Sequence, residues 1–93
     1  MLQTITIIVE GRVQGVFYRQ STLEKASLLG VAGTVRNLPD GKVHIRATGT
    51  KAQLDDLFEW CKQGPSRAAV NGVEWKDEPL QLFDGFRVLR REA

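Results

Sequence analysis

The stretch from Thr4 to Glu10, Thr-Ile-Thr-Ile-Ile-Val-Glu, is β-branched almost throughout, and its alternation puts Ile5, Ile7 and Val9 on one face. Such a segment is a strand with one apolar side, which the rest of a 93-residue chain has to cover. At this size roughly 64% of the unfolded surface can be buried. That is enough for one core, so residues 1–93 are expected to form a single domain.

The strand ends at Gly11, and the next stretch, Arg12-Val13-Gln14-Gly15-Val16-Phe17-Tyr18, reads as a loop carrying turn-permitting glycine. From Tyr18 or Arg19 to Leu29, Thr22, Ala26 and Leu29 recur at helical spacing with Leu23 beside them, and Gly30 follows as a C-terminal stop. Val31 to Leu38 alternates again, with Val31, Gly33, Val35 and Asn37 on one face, and runs into the turn signal Leu38-Pro39-Asp40-Gly41. The second arm of that hairpin, Lys42 to Gly49, sets Val43, Ile45 and Ala47 against Lys42, His44, Arg46 and Thr48. Thr50-Lys51-Ala52-Gln53 has the form of a capping box; Leu54, Leu57, Phe58 and Cys61 make a helical apolar stripe, and Gly64-Pro65 closes it. A strand around Val70 to Lys76, a break at Pro79 and a short strand around Phe86 to Leu89 complete the pattern.

The order β-α-β-β-α-β plus a short C-terminal strand predicts an α+β, ferredoxin-like split β-α-β sandwich, with two helices packed on one face of an antiparallel or mixed sheet. The first two strands are then parallel, with the third antiparallel between them. A right-handed crossover brings the C-terminal ends of those two strands to one edge. The loop from Arg12 to Tyr18 is therefore expected to meet Asn37 there, two strand spacings or about 10 Å away. Arg and Asn side chains with a bound ligand and water span such a gap.

Composition narrows the chemistry this edge can carry. With 13 basic and 11 acidic residues the net charge is +2, too even to demand nucleic acid or an anionic membrane. The single cysteine, Cys61, cannot bridge internally, and with one histidine, His44, the soft ligands are too few for structural zinc, so no metal is expected. No apolar run approaches the ~18 residues of a membrane span. Met1-Leu2-Gln3-Thr4 lacks the basic and apolar regions of a signal peptide, which makes the cytoplasm the expected compartment. A monomer is the default expectation.

A glycine-containing loop leading into a helix presents consecutive N–H groups to one point, where the helix dipole adds positive potential, and such a nest binds anions. Arg19, at the junction, supplies a guanidinium fork that matches two phosphate oxygens. No Gly-Lys-Ser/Thr follows, so this is not a Walker loop, nor is it the dinucleotide fingerprint. Taken alone, the same residues fit equally well a turn at Gly15 and a solvated first-turn Arg19. Asn37 both donates and accepts, which suits orienting a neutral water. In isolation it also reads as a strand-end residue bonded to Asp40 or Gly41.

Gly11-Arg12-Val13-Gln14-Gly15-Val16-Phe17-Tyr18-Arg19, followed after a helix by Gly30-Val31-Ala32-Gly33-Thr34-Val35-Arg36-Asn37 and then Asp40-Gly41, resembles the acylphosphatase family. The likeness continues through Gly49, Gly64-Pro65 and the Ala68-x-Val70-x-x-Val73 pattern, and so covers essentially the whole chain. It implies hydrolysis of a small-molecule carboxylic-phosphoric mixed anhydride to carboxylate and inorganic phosphate, with no metal and no organic cofactor. Carried onto the matching positions, Arg19 is the phosphate-binding catalytic arginine and Asn37 holds the nucleophilic water. Gly15, Val16, Phe17, Tyr18 and Arg19 form the backbone cradle for the phosphoryl oxygens. Two positions depart from the family pattern: Tyr18 stands where many relatives have Phe, and Thr34 where many have Trp. Tyr18 keeps an aromatic body for packing, whereas Thr34 trims the flank, which bears on substrate preference or stability.

So few groups suffice because the departing carboxylate of an acyl phosphate is a weak base that needs little acid catalysis. In a loose transition state the protein mainly positions the in-line water and stabilises oxygen charge. No protein base is evident at this edge, which leaves a phosphoryl oxygen to accept the water proton. Inorganic phosphate is then expected as product and competitive inhibitor.

Other chemistry-bearing residues read as structural. His44 falls on the polar face of its strand and is expected at the surface, while Cys61 is expected as a buried, inert thiol. Trp75 belongs in or beside the core; Trp60 is undecided. Arg87, Arg90 and Arg91 read as a solvated strand end, and Arg36 points to the face opposite Asn37. RNA-binding modules use the same topology, but neither Thr4 to Glu10 nor Lys42 to Thr48 carries an aromatic, and no Lys/Arg-Gly-Phe/Tyr pattern is present. A phosphate-binding regulatory domain is the other alternative, and a chain holding both matched catalytic positions favours the hydrolase.

Overall fold

The computed structural model describes residues 1–90. Along them run β1 (Gln3–Arg12), α1 (Tyr18–Leu29), β2 (Ala32–Asn37), β3 (Val43–Gly49), α2 (Lys51–Cys61), β4 (Ala69–Glu78) and β5 (Phe86–Leu89). The strands form one mixed sheet in the order β4-β1-β3-β2-β5. β3 pairs antiparallel with both β1 and β2, which makes those two parallel to each other as the split arrangement requires. β4 adds antiparallel to β1, and β5 adds parallel to β2. This is the ferredoxin-like α+β class that the element order predicts.

The period-two pattern decides the layers. Ile5, Ile7, Val9, Val35, Val43, Ile45 and Ala47 are all 0% exposed, on the face that both helices cover. There α1 lies over β2 and β5, and α2 over β1, β3 and β4. α1 turns Tyr18, Thr22 and Ala26 inward, and the Thr22 hydroxyl donates to the Tyr18 carbonyl at 2.8 Å, so its burial leaves no open donor. Leu29, expected on that stripe, is only half-buried. α2 turns in Leu54, Leu57 and Cys61 and opens on the expected capping box, Gln53 N–H to Thr50 Oγ1 and Thr50 N–H to Gln53 Oε1 at 2.8 Å.

Two boundaries and the path of one connection differ from the sequence reading. β1 does not end at Gly11: after a bulge between Glu10 and Gly11 it stays paired with β4 as far as Arg12. Gly11 has φ +128°, and a Cβ there would collide with the Ala69 carbonyl oxygen, so only glycine allows this approach. α2 is capped at Lys62, with Gly64 two residues further on donating to the Trp60 carbonyl at 2.8 Å. Beyond Pro79 the chain crosses the sheet face that carries no helix. The Gln81 carbonyl there accepts from Thr48 Oγ1 (2.6 Å) and Thr4 Oγ1 (3.2 Å), while its N–H donates to Thr4 Oγ1 (2.9 Å). This polar clasp buries Thr4 and Thr48 to 2% and 5% exposure and carries the chain from one sheet edge to the other.

Candidate active site

Because β1 and β2 run parallel, their C-terminal ends and the N-terminus of α1 share one edge of the sheet. A cleft of about 410 Å³ opens there, and Gly15, Phe17, Tyr18, Arg19 and Asn37 all line it. The structure thus brings together both arms of the expected site. Val16 is the exception among the anticipated loop residues: its side chain packs against the core, not into the cleft.

The loop backbone is bent twice into the left-handed region, at Gly15 (φ +73°) and at Phe17 (φ +63°, ψ 22°). Phe17 is the N-cap of α1, and its side chain, with no oxygen, offers the helix no cap. Among the described residues, no carbonyl or side chain accepts from the N–H groups of residues 15–20, and the first amide taken up is that of Ser21, by the Phe17 carbonyl at 3.0 Å. A run of open amides at a helix N-terminus is an anion cradle.

Two links hold this loop to the rest of the edge. Gln14 Nε2 donates to the carbonyls of Leu38 (2.8 Å) and Lys42 (2.9 Å), bolting the loop to the hairpin that carries Asn37. Sequence reasoning gave Gln14 no role; a long amide between Gly11 and Gly15 was the available signal. On the other side, the half-buried Arg19 donates through Nη1 to the Leu89 carbonyl at 3.2 Å. Among the described residues no carboxylate pairs with Arg19, so its charge faces the cleft unneutralised.

Asn37 is not used by the turn that follows it. Asp40 Oδ1 takes the Lys42 amide at 3.0 Å and the Leu38 carbonyl takes the Gly41 amide at 3.1 Å, while Asn37 Oδ1 is buried with no protein partner. An acceptor left open in this way costs about 1–3 kcal/mol. Arg90 is exposed, as the reading of a solvated strand end expects, and it also lines the cleft. Its place follows from the parallel register: Arg36 pairs with Leu89, so Arg90 comes one step later, beside Asn37. Arg87 is exposed, and Arg91 lies outside the described residues.

Behind the loop, the Tyr18 hydroxyl donates to the Cys61 carbonyl at 2.8 Å, and its ring lies 5.5 Å from that of Trp60. The oxygen that departs from the family pattern therefore anchors the first residue of α1 to the last of α2. Burial raises the Tyr18 phenol above its ordinary range and, with the Tyr18 hydrogen bond acting in opposition, pushes the Cys61 thiol up to about 12. Trp75 stacks edge-on against Phe58 at 5.3 Å beside the core. His44 is not the free surface residue expected: it is half-buried on the open sheet face with Nδ1 unpartnered. Burial first, and then Arg36 and Arg46, hold its imidazole below the usual range. Among the described residues no three His, Cys, Asp or Glu side chains gather as a metal site, and no helix is long and apolar enough to cross a membrane.

Fold and cleft together define a small α+β protein with a cleft at the edge of its sheet, lined by open amides and by an arginine unpaired among the described residues. Comparison with known proteins supplies the family. The family model described as Acylphosphatase matches residues 5–88. An acylphosphatase of Acaryochloris marina is 51% identical over 83 residues, 89% of this chain and 89% of that one. Among solved structures, an acylphosphatase from Coxiella burnetii superposes with a TM-score of 0.92 at 39% identity, covering 95% of this chain and 93% of that one. The acylphosphatase from Bacillus subtilis gives 0.90 at 33% identity, covering 96% and 99%. The chain belongs to the acylphosphatase family, and it is an enzyme of that family.

Proposed function

We propose that this chain hydrolyses small acyl phosphates through the cleft between the β1–α1 loop and the end of β2. Family membership supports the reaction class. The assignment of roles rests on one observation: the open amides of residues 15–20, the unneutralised Arg19 and the unpartnered Asn37 Oδ1 meet in a single cleft. The amides of the loop from Gly15 to Arg19, with the Arg19 guanidinium, hold the phosphoryl oxygens and stabilise their growing charge. Asn37 Oδ1 accepts from the attacking water and aims its lone pair at phosphorus. The water oxygen bonds to phosphorus as the bond from phosphorus to the acyl oxygen breaks. The carboxylate leaves with that electron pair, and the water proton passes to a phosphoryl oxygen. No protein base is needed, and no metal or organic cofactor enters the step.

In this reading residues 1–93 act as one acylphosphatase-like domain, a cytoplasmic monomer whose partners are an acyl phosphate and inorganic phosphate, with neither nucleic acid nor membrane. The test is hydrolysis of benzoyl phosphate in EDTA by the wild type and Arg19→Gln side by side. Rapid hydrolysis lost in the variant is the expected result. A folded wild type no faster than the uncatalysed rate would leave a phosphate-binding regulatory domain instead.

A further inference from the structure

Phe17 carries two local costs at one position. Its φ of +63° is a backbone region that a non-glycine side chain enters at about 1–2 kcal/mol, and the residue is 72% exposed, leaving an aromatic ring in water. Glycine at this position would relieve both. Neither the helix nor the core gains from the ring: Phe17 supplies no cap hydrogen bond to α1 and is not part of the buried cluster. Residues held in strained conformations at a cleft point to a function for what they display. What Phe17 displays is an apolar face on the lip of the cleft, with Val13 and Val88 also in its lining.

The cleft is also larger than its phosphoryl end requires. Its volume of about 410 Å³ falls in the roughly 300–1,000 Å³ range of sites that hold whole organic ligands. Open amides, Arg19, Gln20, Asn37 and Arg90 make up the polar part of the lining, and Val13 and Tyr18 are each 1% exposed, which leaves Phe17, with the half-buried Val88, for the group on the other side of the anhydride oxygen. We infer that the Phe17 ring forms the acyl-side wall of the site and selects acyl phosphates with an apolar, planar acyl group over acetyl phosphate. This rests on the acyl phosphate reading above and adds its substrate class.

The experiment compares kcat/KM for benzoyl phosphate and for acetyl phosphate in the wild type, Phe17→Gly, Phe17→Asn and Phe17→Tyr. The readout is the benzoyl-to-acetyl ratio, because loss of loop geometry lowers both rates together and cancels. Aromatic contacts of this kind are worth about three- to tenfold, so the ratio should fall by that factor in Phe17→Gly. Phe17→Asn, which also tolerates a left-handed backbone, should show the same fall and secures the result if the glycine variant does not fold. Phe17→Tyr, which keeps the ring, should hold the ratio within about twofold. A ratio unchanged in both ring-less variants, or lost equally in Phe17→Tyr, overturns the inference. A wild type that hydrolyses neither compound overturns the acyl phosphate reading itself, which is a separate outcome.

Discussion

Arg19 and Leu89 are 70 positions apart in the chain, yet the Arg19 guanidinium donates to the Leu89 carbonyl at 3.2 Å. The last residue of the edge strand β5 thus fixes the side chain that faces the open amides of the β1–α1 loop. One N–H of the fork is spent on this contact, and the others remain for a ligand.

Replacing Arg19 by Gln should lower kcat/KM for benzoyl phosphate by about 10³ or more, the range associated with arginines that neutralise a phosphoryl transition state. Arg19→Lys keeps the charge but cannot hold Leu89 and bind two phosphoryl oxygens in one plane, so it should recover only a small part of the loss. Initial-rate kinetics on the three proteins check this. A lysine variant at wild-type rate would mean that charge alone matters.

Asn37 should separate activity from stability. Asn37→Ala removes a buried acceptor that has no protein partner, so the melting temperature should stay level or rise. If the carbonyl orients the attacking water, kcat should fall by about 10²–10³ while inhibition by inorganic phosphate is kept. Thermal melts and phosphate titrations alongside the kinetics give both readings. A wild-type kcat in Asn37→Ala would remove the water-orienting role.

The parts of this molecule legible in its sequence are those set by local patterns. The alternation of Thr4 to Glu10 and Lys42 to Gly49, the capping box at Thr50 and Gln53, and the turn at Pro39-Asp40-Gly41 each act within a few residues, and each appears where expected. Arg19 and Asn37 could be placed at one edge because a parallel crossover leaves little choice. What could not be read depends on distant partners. Nothing local says that β5 joins β2 in parallel, so the exposed strand end Arg90 could not be placed beside Asn37. The polar face of β3 looked free because the crossing of Gln81 over Thr4 and Thr48 is a contact between segments far apart in sequence. The left-handed Phe17 was hidden because a Phe in a loop carries no signal for positive φ.

His44 should make the fold sensitive to mild acid. Burial and the neighbouring Arg36 and Arg46 lower its pKa in the folded protein below the ordinary 6.5, with Glu78 acting in opposition. The unfolded chain therefore takes up a proton near 6.5 that the folded one refuses. Stability is full above that pH and declines as pH falls through the lowered folded value. Urea midpoints measured from about pH 7.5 down to about pH 5 should show this decline, and His44→Gln should flatten it. An equal decline in both proteins would place the acid sensitivity on carboxylates.

Tyr18 and Cys61 should act in the opposite direction at high pH. Both are acids whose neutral forms burial favours, with the thiol raised from 9.0 to about 12 and the phenol raised above its ordinary 10.0. Above pH 9.0 the unfolded chain releases the thiol proton while the folded chain keeps it. Stability is thus full below 9.0 and is lost as pH climbs toward about 12, at up to about 1.4 kcal/mol per pH unit for each group. The phenol adds its own loss once the pH passes 10.0. Cys61→Ala leaves a small cavity and lowers stability at every pH, so the slope carries the information and the absolute value does not. Denaturant midpoints between about pH 8 and about pH 11 should fall early in the wild type, and in Cys61→Ala only after the phenol begins to titrate. Parallel slopes in the two proteins would show that the thiol does not titrate against folding. In that case the alkaline loss would belong to Tyr18, whose bond to the Cys61 carbonyl ties α1 to α2 behind the β1–α1 loop.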